Sequence, residues 1–201
     1  MDEKEKELVR RALAGENSAF EELALSYRQS LLHLAYRMTG NMEEAMDIAQ
    51  ETLLRSFKYL HRFNPERGFR NWLFQIAANQ CRDFGRRKEA EKRYRQKISG
   101  LNGQEINAGN NGPGIKAVFH EASPATSDLK LDVNRYLNRL GPKERRVFIL
   151  RDLEGLSIGE TAGVLGISSI SVRVNLSSAR KKIKQLILGL EEGASGRGEA
   201  K

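Results

Sequence analysis

The sequence predicts an all-α protein, two small helical domains joined by a flexible linker. Three observations carry this. Apolar residues recur at i, i+3 and i+4 steps through almost all of the chain outside its middle. The middle, Ser99 to Ser127, holds five Gly, four Asn and two Pro, and no helical period survives that composition. At 201 residues the chain can hold two small cores, each near the lower size for independent folding. The domains are therefore residues 1–97 and 129–189, with 98–128 as linker and 190–201 as a disordered tail. A flexible segment of that length has an rms span of roughly 30 Å, so the two domains can reach separate sites on one partner.

The first helix, residues 2–14, gathers Leu8, Val9, Ala12 and Leu13 on one side and stops at Gly15. Asn17 or Ser18 caps the second, whose Phe20, Leu23, Ala24 and Tyr27 lead toward Leu31, Leu34 and Ala35. Thr39, Gly40 and Asn41 break it. The third, Glu43 to Leu60, places Met46, Ala49, Leu53, Phe57 and Leu60 on an apolar stripe. Asp47, Glu51 and Lys58 turn away from that stripe, and Gln50 sits at its edge. After a loop of Asn64, Pro65 and Gly68 comes FRNWLFQIAANQCRDFGRRK, Phe69 to Lys88. At about 100° per residue, Phe69, Leu73, Ile76, Ala77 and Phe84 share a core face. Trp72, Gln75, Asn79, Arg82 and Arg86 form a second stripe. An aromatic plane, two amides and two guanidiniums in one line can stack bases, bond base edges and neutralise phosphates. A solvated polar face with Trp72 in the core has the same spacing.

Charge narrows the partners. The net charge is +8, yet Arg82–Lys97 and Ser171–Leu188 each carry +5. Two basic patches on an otherwise balanced chain point to a polyanion gripped at two places. Neither patch is backed by the broad apolar face of an interfacial helix, and no apolar run reaches about 18 residues, so membrane insertion is not expected. There is no secretory hydrophobic region, so the expected compartment is the cytoplasm. The single cysteine, Cys81, excludes an internal disulfide and a cysteine-rich metal site, and it lies off both stripes of its helix. His33, His61 and His120 are far apart, and none has a Cys, Ser or carboxylate at motif spacing in the sequence. No phosphate-cradling glycine loop appears. No catalysis, metal or cofactor is expected.

Past the linker, Leu129 to Leu140 is a short helix. Gly141 and Pro142 start the next, with Val147, Phe148, Leu150 and Leu153 inward. In the last unit Ala162, Gly166, Ile167, Val172 and Leu176 have the spacing of a helix-turn-helix. Ala162 lets the second helix pass close, Gly166 makes the turn, and Ser168 caps the second helix. Ile167, Val172 and Leu176 anchor it. Ser169, Ser171, Arg173, Val174, Ser177 and the basic run from Arg180 then face outward, where hydroxyls meet phosphates and Arg173 reaches a guanine edge. An ordinary hairpin with a basic last helix fits the same pattern less fully.

Together these segments resemble a group IV (extracytoplasmic-function) sigma factor of bacterial RNA polymerase, in the sigma-70 family. The resemblance covers about residues 8–95 and 129–187. It rests on GENSAFEELALSYR, GNMEEAMDIAQETLLRSF and FRNWLFQIAANQCRDFGRR, then on LGPKERRVFILRDLEGLSIGETAGVLGIS and VRVNLSSARKKI. It implies that the first domain is sigma region 2 and the second sigma region 4. It implies that Asp47, Gln50 and Glu51, the family's AxDxxQE positions, bind core RNA polymerase. It places Phe63, Asn64, Trp72, Gln75 and Asn79 on the single-stranded −10 element, with Arg82, Arg86 and Arg87 on phosphates. There a base must be unstacked, and each base–aromatic stack returns about 1–3 kcal/mol. Phe63 and Asn64, in the loop, are the nearest match to the family's base pocket. It places Ser168, Ser169, Ser171, Arg173, Ser177, Arg180 and Lys181 on duplex −35 DNA. It also implies an anti-sigma factor.

The chain departs from the family at Val174, Asn175 and Ser178, where cationic or hydroxyl residues are usual. Fewer charges there predict weaker, less salt-steep non-specific binding. The linker is Gly/Asn-rich rather than acidic. A free-standing helix-turn-helix regulator with a sensor domain is the alternative. The Trp72–Arg86 stripe, which a sensor does not need, speaks against it.

Overall fold

A computed structural model describes residues 3–65, 68–102 and 133–195. Every element among them is helical: α1 (Glu3–Leu13), α2 (Asn17–Thr39), α3 (Met42–Lys58), a 3₁₀ turn (Leu60–Arg62) and α4 (Phe69–Asn102). Then come α5 (133–137), α6 (Pro142–Phe148) running into a π-helical turn (Ile149–Leu153), α7 (Ile158–Leu165) and α8 (Ser169–Ser195). Expectations for the linker between 103 and 128, for the helix start at Leu129 and for the tail from 196 fall outside the described residues.

Helix ends follow local chemistry, with one exception. Gly40 closes α2 at φ 74°, its N–H donating to the Tyr36 carbonyl. Asn41 caps α3 by accepting from the Glu44 N–H at 3.0 Å. At the start of α2, however, Glu16 holds the cap position and no side chain caps the helix, in place of Asn17 or Ser18. The Glu16 carboxylate is occupied instead by Arg11 and by the Ser18 hydroxyl. Two helices outrun their predicted ends. α4 continues through Gly100 to Asn102, and α8 through Gly189 to Ser195. A glycine costs a helix only about 1 kcal/mol, so neither residue had to end one.

The core differs from the predicted stripes in a consistent way. In α3 the buried residues are Ala45, Ile48, Ala49, Thr52 and Ser56, while Met46 and Phe57 are exposed by 47% and 51%. Small side chains let α3 lie close on α2 and α4, and that close approach pushes the larger ones out. In α4 the buried set is Phe69, Leu73, Phe74, Ala77, Ala78, Gln80 and Cys81, with Ile76 and Phe84 only half-buried. The cause is that α4 packs against α2 and α3 and also against α7. One hydrophobic cluster joins Leu34, Phe69 and Leu73 to Leu137, Ile149, Leu156 and Val164. Burial pushes the Cys81 thiol up to about 12, so it remains a neutral core group. A smaller cluster of Val147, Ala162, Val172 and Leu176 holds the helix-turn-helix together. Ile167, expected as an anchor, is instead 37% exposed.

Glu144 fastens α6 to α8. It accepts from the Gly141 N–H at 2.9 Å, the Ser178 hydroxyl at 2.6 Å and the Lys182 ammonium at 2.8 Å. Chiefly through Lys182, then Ser178 and Gly141, its carboxyl is held at about 2, below the ordinary 4.5. Its contribution to stability is therefore complete above pH 4.5 and lost as pH falls toward 2. Glu144→Gln should lower Tm at pH 7 and converge with the parent near pH 2 in thermal melts across that range.

Candidate nucleic-acid and polymerase interfaces

Because the small residues of α3 point inward, its outer face is large and mixed. Met46, Gln50, Leu54 and Phe57 fall at i, i+4, i+8 and i+11, all exposed, with exposed Asp47 beside them. Glu51 is half-buried and turned along the helix to Arg55, 2.6 Å away, which holds its carboxyl below the usual range. Asp47 and Gln50 thus point outward while Glu51 is braced. The apolar members of this face, Met46, Leu54 and Phe57, were missed in the sequence. The signal for them was the Ala45, Ala49, Thr52, Ser56 spacing, a buried stripe made of small residues.

The loop and the first turns of α4 form an aromatic cluster. Phe63 is buried at 6% exposure, edge-on to Phe69 at 5.5 Å and 5.1 Å from the Trp72 ring. Its ring is therefore part of the core, and it positions the exposed Asn64 that follows, the other residue of the expected base pocket. Trp72 is half-buried, one face on Phe63 and Phe69. Gln75 and Asn79 are half-buried on the same stripe, and Arg86 and Arg87 are exposed.

The second domain lies over part of that stripe. Asn71 donates to Glu160 at 2.7 Å, and Gln75 reaches the Gly163 carbonyl at 3.5 Å, the long limit of a hydrogen bond. Glu154, only 10% exposed, is clasped by Arg37 at 2.7 Å and Arg70 at 3.1 Å. Arg70 also donates to the Glu154 carbonyl and lies 4.6 Å over the Phe74 ring. Further along, Arg146 is half-buried. Burial, then the charges of Arg82 and Arg86, lower its pKa. Arg82 Nε is buried without a hydrogen-bond partner, 3.7 Å from Asp83. Guanidiniums crowded in this way suit a phosphate chain.

On α8, Ser168 caps as expected, accepting from the Ser171 N–H at 3.1 Å, and Gly166 makes the turn at φ 64°. Val172, Leu176 and Ala179 are buried. Ser168, Arg173, Ser177 and Lys181 are exposed, and Ser169 and Ser171 half so. Arg180, also exposed, donates from Nε and Nη2 to Asp152 at 2.8 and 2.6 Å and so braces the π-helical turn. The departures at Asn175 and Ser178 are turned inward. Asn175 donates to the Ser171 carbonyl at 2.7 Å, and Ser178 to Glu144.

Comparison with known proteins places both halves of the chain in one family. Residues 23–91 match Sigma-70 region 2, and residues 130–183 match Sigma-70, region 4. The chain is 26% identical over 185 residues to the ECF RNA polymerase sigma factor SigW of Bacillus subtilis, covering 92% of this chain and 97% of that one. It is 30% identical over 189 residues to the RNA polymerase sigma factor CnrH of Cupriavidus metallidurans, covering 90% and 92%. Its fold is similar to the structure of CnrH in complex with the cytosolic domain of CnrY (TM-score 0.65, 24% identity, 93% and 99% covered). It is also similar to the sigma factor RpoE in complex with the anti-sigma factor NepR from Bartonella quintana (TM-score 0.65, 23% identity, 84% and 96% covered). The chain belongs to the extracytoplasmic-function sigma factors of the sigma-70 family, subunits that bind core RNA polymerase and direct it to promoters.

Proposed function

We propose that three surfaces divide this work. The outer face of α3 docks on core polymerase through Asp47 and Gln50, with Met46, Leu54 and Phe57 supplying buried area around them and Arg55-held Glu51 at the edge. Asn64 with Trp72, Gln75 and Asn79 takes the melted −10 strand, and Arg82, Arg86 and Arg87 take its phosphates. The outer face of α8, with Ser168, Ser169, Ser171, Arg173, Ser177 and Lys181, takes the −35 duplex, and Arg180 serves as a brace. The carrying observation is the separation of charge: an apolar and acidic face on α3, cationic faces on α4 and α8. A protein surface and a polyanion therefore have different places to bind.

The chain acts by binding rather than catalysis, in the cytoplasm where polymerase is. Among the described residues no helix is long and apolar enough to cross a membrane, and no cluster of His, Cys, Asp or Glu suits a metal. An anti-sigma factor belongs to the proposal, since one similar fold is held by NepR. Domain limits near 97 and 129 are retained.

The test is run-off transcription with core polymerase. The parent chain should yield a promoter-dependent transcript. Asp47→Arg should abolish it through a loss of core affinity of about 100-fold, the scale of a like-charge juxtaposition in an interface. Duplex binding by α8 should not change. An undiminished transcript from Asp47→Arg would overturn the assignment of α3.

A further inference from the structure

The ridge of α8 that points furthest from the body is Ile170, Val174, Ser177 and Lys181, at i, i+4, i+7 and i+11. It lies opposite the buried Val172, Leu176 and Ala179. Its two leading residues are branched and apolar, and they are 71% and 63% exposed. Folding gains nothing from them there, since the described chain leaves both uncovered. Exposed Arg173 flanks them, and exposed Lys181 and Lys184 follow. The occupant of such a surface must therefore be anionic at its margins and apolar at its centre.

Duplex DNA offers that combination in the major groove. Phosphates line the rim, and the one apolar group among the base edges is the C5 methyl of thymine. We infer that Ile170 and Val174 are specificity residues that read thymine methyl groups in the −35 element, beside a guanine taken by Arg173. This rests on the assignment of α8 to −35 DNA. One helical turn separates the two side chains by about 6 Å, against about 3.4 Å per base step, so the methyls stand about two steps apart. Val174, where the family pattern has a hydroxyl, thus supplies a different base contact.

The test uses the full chain bound to core polymerase. Duplexes with randomised upstream sequence are selected, and each thymine of the selected −35 segment is replaced in turn by deoxyuridine, which removes only the methyl. Two positions should lose about fourfold in affinity, the worth of one buried methyl. At one of them the loss should vanish in Val174→Ala, and at the other in Ile170→Ala, while the remaining penalties persist. Both residues are exposed and alanine favours helix, so these variants keep the fold. A 5-methylcytosine pair at either position should bind about fourfold better than a cytosine pair, because the methyl is the same group. The natural source is thymine if selection from unmodified DNA returns it at both positions. Equal binding of thymine and deoxyuridine duplexes throughout, or penalties untouched by both variants, would overturn the inference. If no duplex is selected at all, the −35 assignment of α8 fails first and this inference falls with it.

Discussion

Phe74→Ala should destabilise the protein by about 3–5 kcal/mol, read as a shift of the urea midpoint with little change in slope. Phe74 is fully buried within the hydrophobic cluster that both domains share, and removing its ring leaves a cavity there. The substitution also strips the surface on which the Arg70 guanidinium rests at 4.6 Å. Since a domain of this size has about 5–15 kcal/mol in all, the loss is a large share of it. The useful control is an order. Ile76→Ala and Phe84→Ala should each lose less, because both side chains are only half-buried. Periodicity alone ranks them the other way.

Glu154→Arg should separate the two domains. In the parent, the nearly buried Glu154 carboxylate holds Arg37 and Arg70 at once, one from α2 and one from α4. The substitution removes two charge-assisted hydrogen bonds and sets a third guanidinium between them. Each such bond contributes about 1.5–3 kcal/mol when shielded. Arg70 is 41% exposed, so solvent takes back part of that, and a net loss of about 3 kcal/mol of coupling is expected. Calorimetry should show one transition in the parent and two in the variant, with a larger hydrodynamic radius. The separation also frees Asn71 and Gln75 from Glu160 and Gly163, and single-stranded DNA binding by the free chain should rise. If the variant melts as a single unit, the clasp does not hold the domains together. Glu154→Gln, which retains shape and one acceptor, should fall between.

What was legible in the sequence was local. The helix-turn-helix could be read because Gly166, Ser168, Val172 and Leu176 each answer to a neighbour within one or two turns. The α3 face was misread because its buried stripe, Ala45, Ala49, Thr52 and Ser56, is small or polar, and an apolar count looks elsewhere. The packing of Phe63 could not be read, because a loop residue beside Asn64 and Pro65 has no period to reveal its contacts with Phe69 and Trp72. The domain contact had no signal. Arg37 and Glu154 are 117 residues apart in sequence, and Asn71 and Glu160 are 89 apart. Arg180 looked like every other cation in its run, and only its bidentate pairing with Asp152 sets it aside.

The far half of α4 has a consequence for how far the first domain can reach. The 34-residue helix is about 50 Å long, and from Gly85 to Ile98 its residues are exposed. With no core beneath it, that stretch has few contacts to stop it fraying, and an unsupported helix of such length is marginal in water. A residue that leaves the helix for extended chain lengthens the tether by about 2 Å. The far end of α4 thus exchanges length for reach: each residue it releases adds to the span between the first domain's core and the linker.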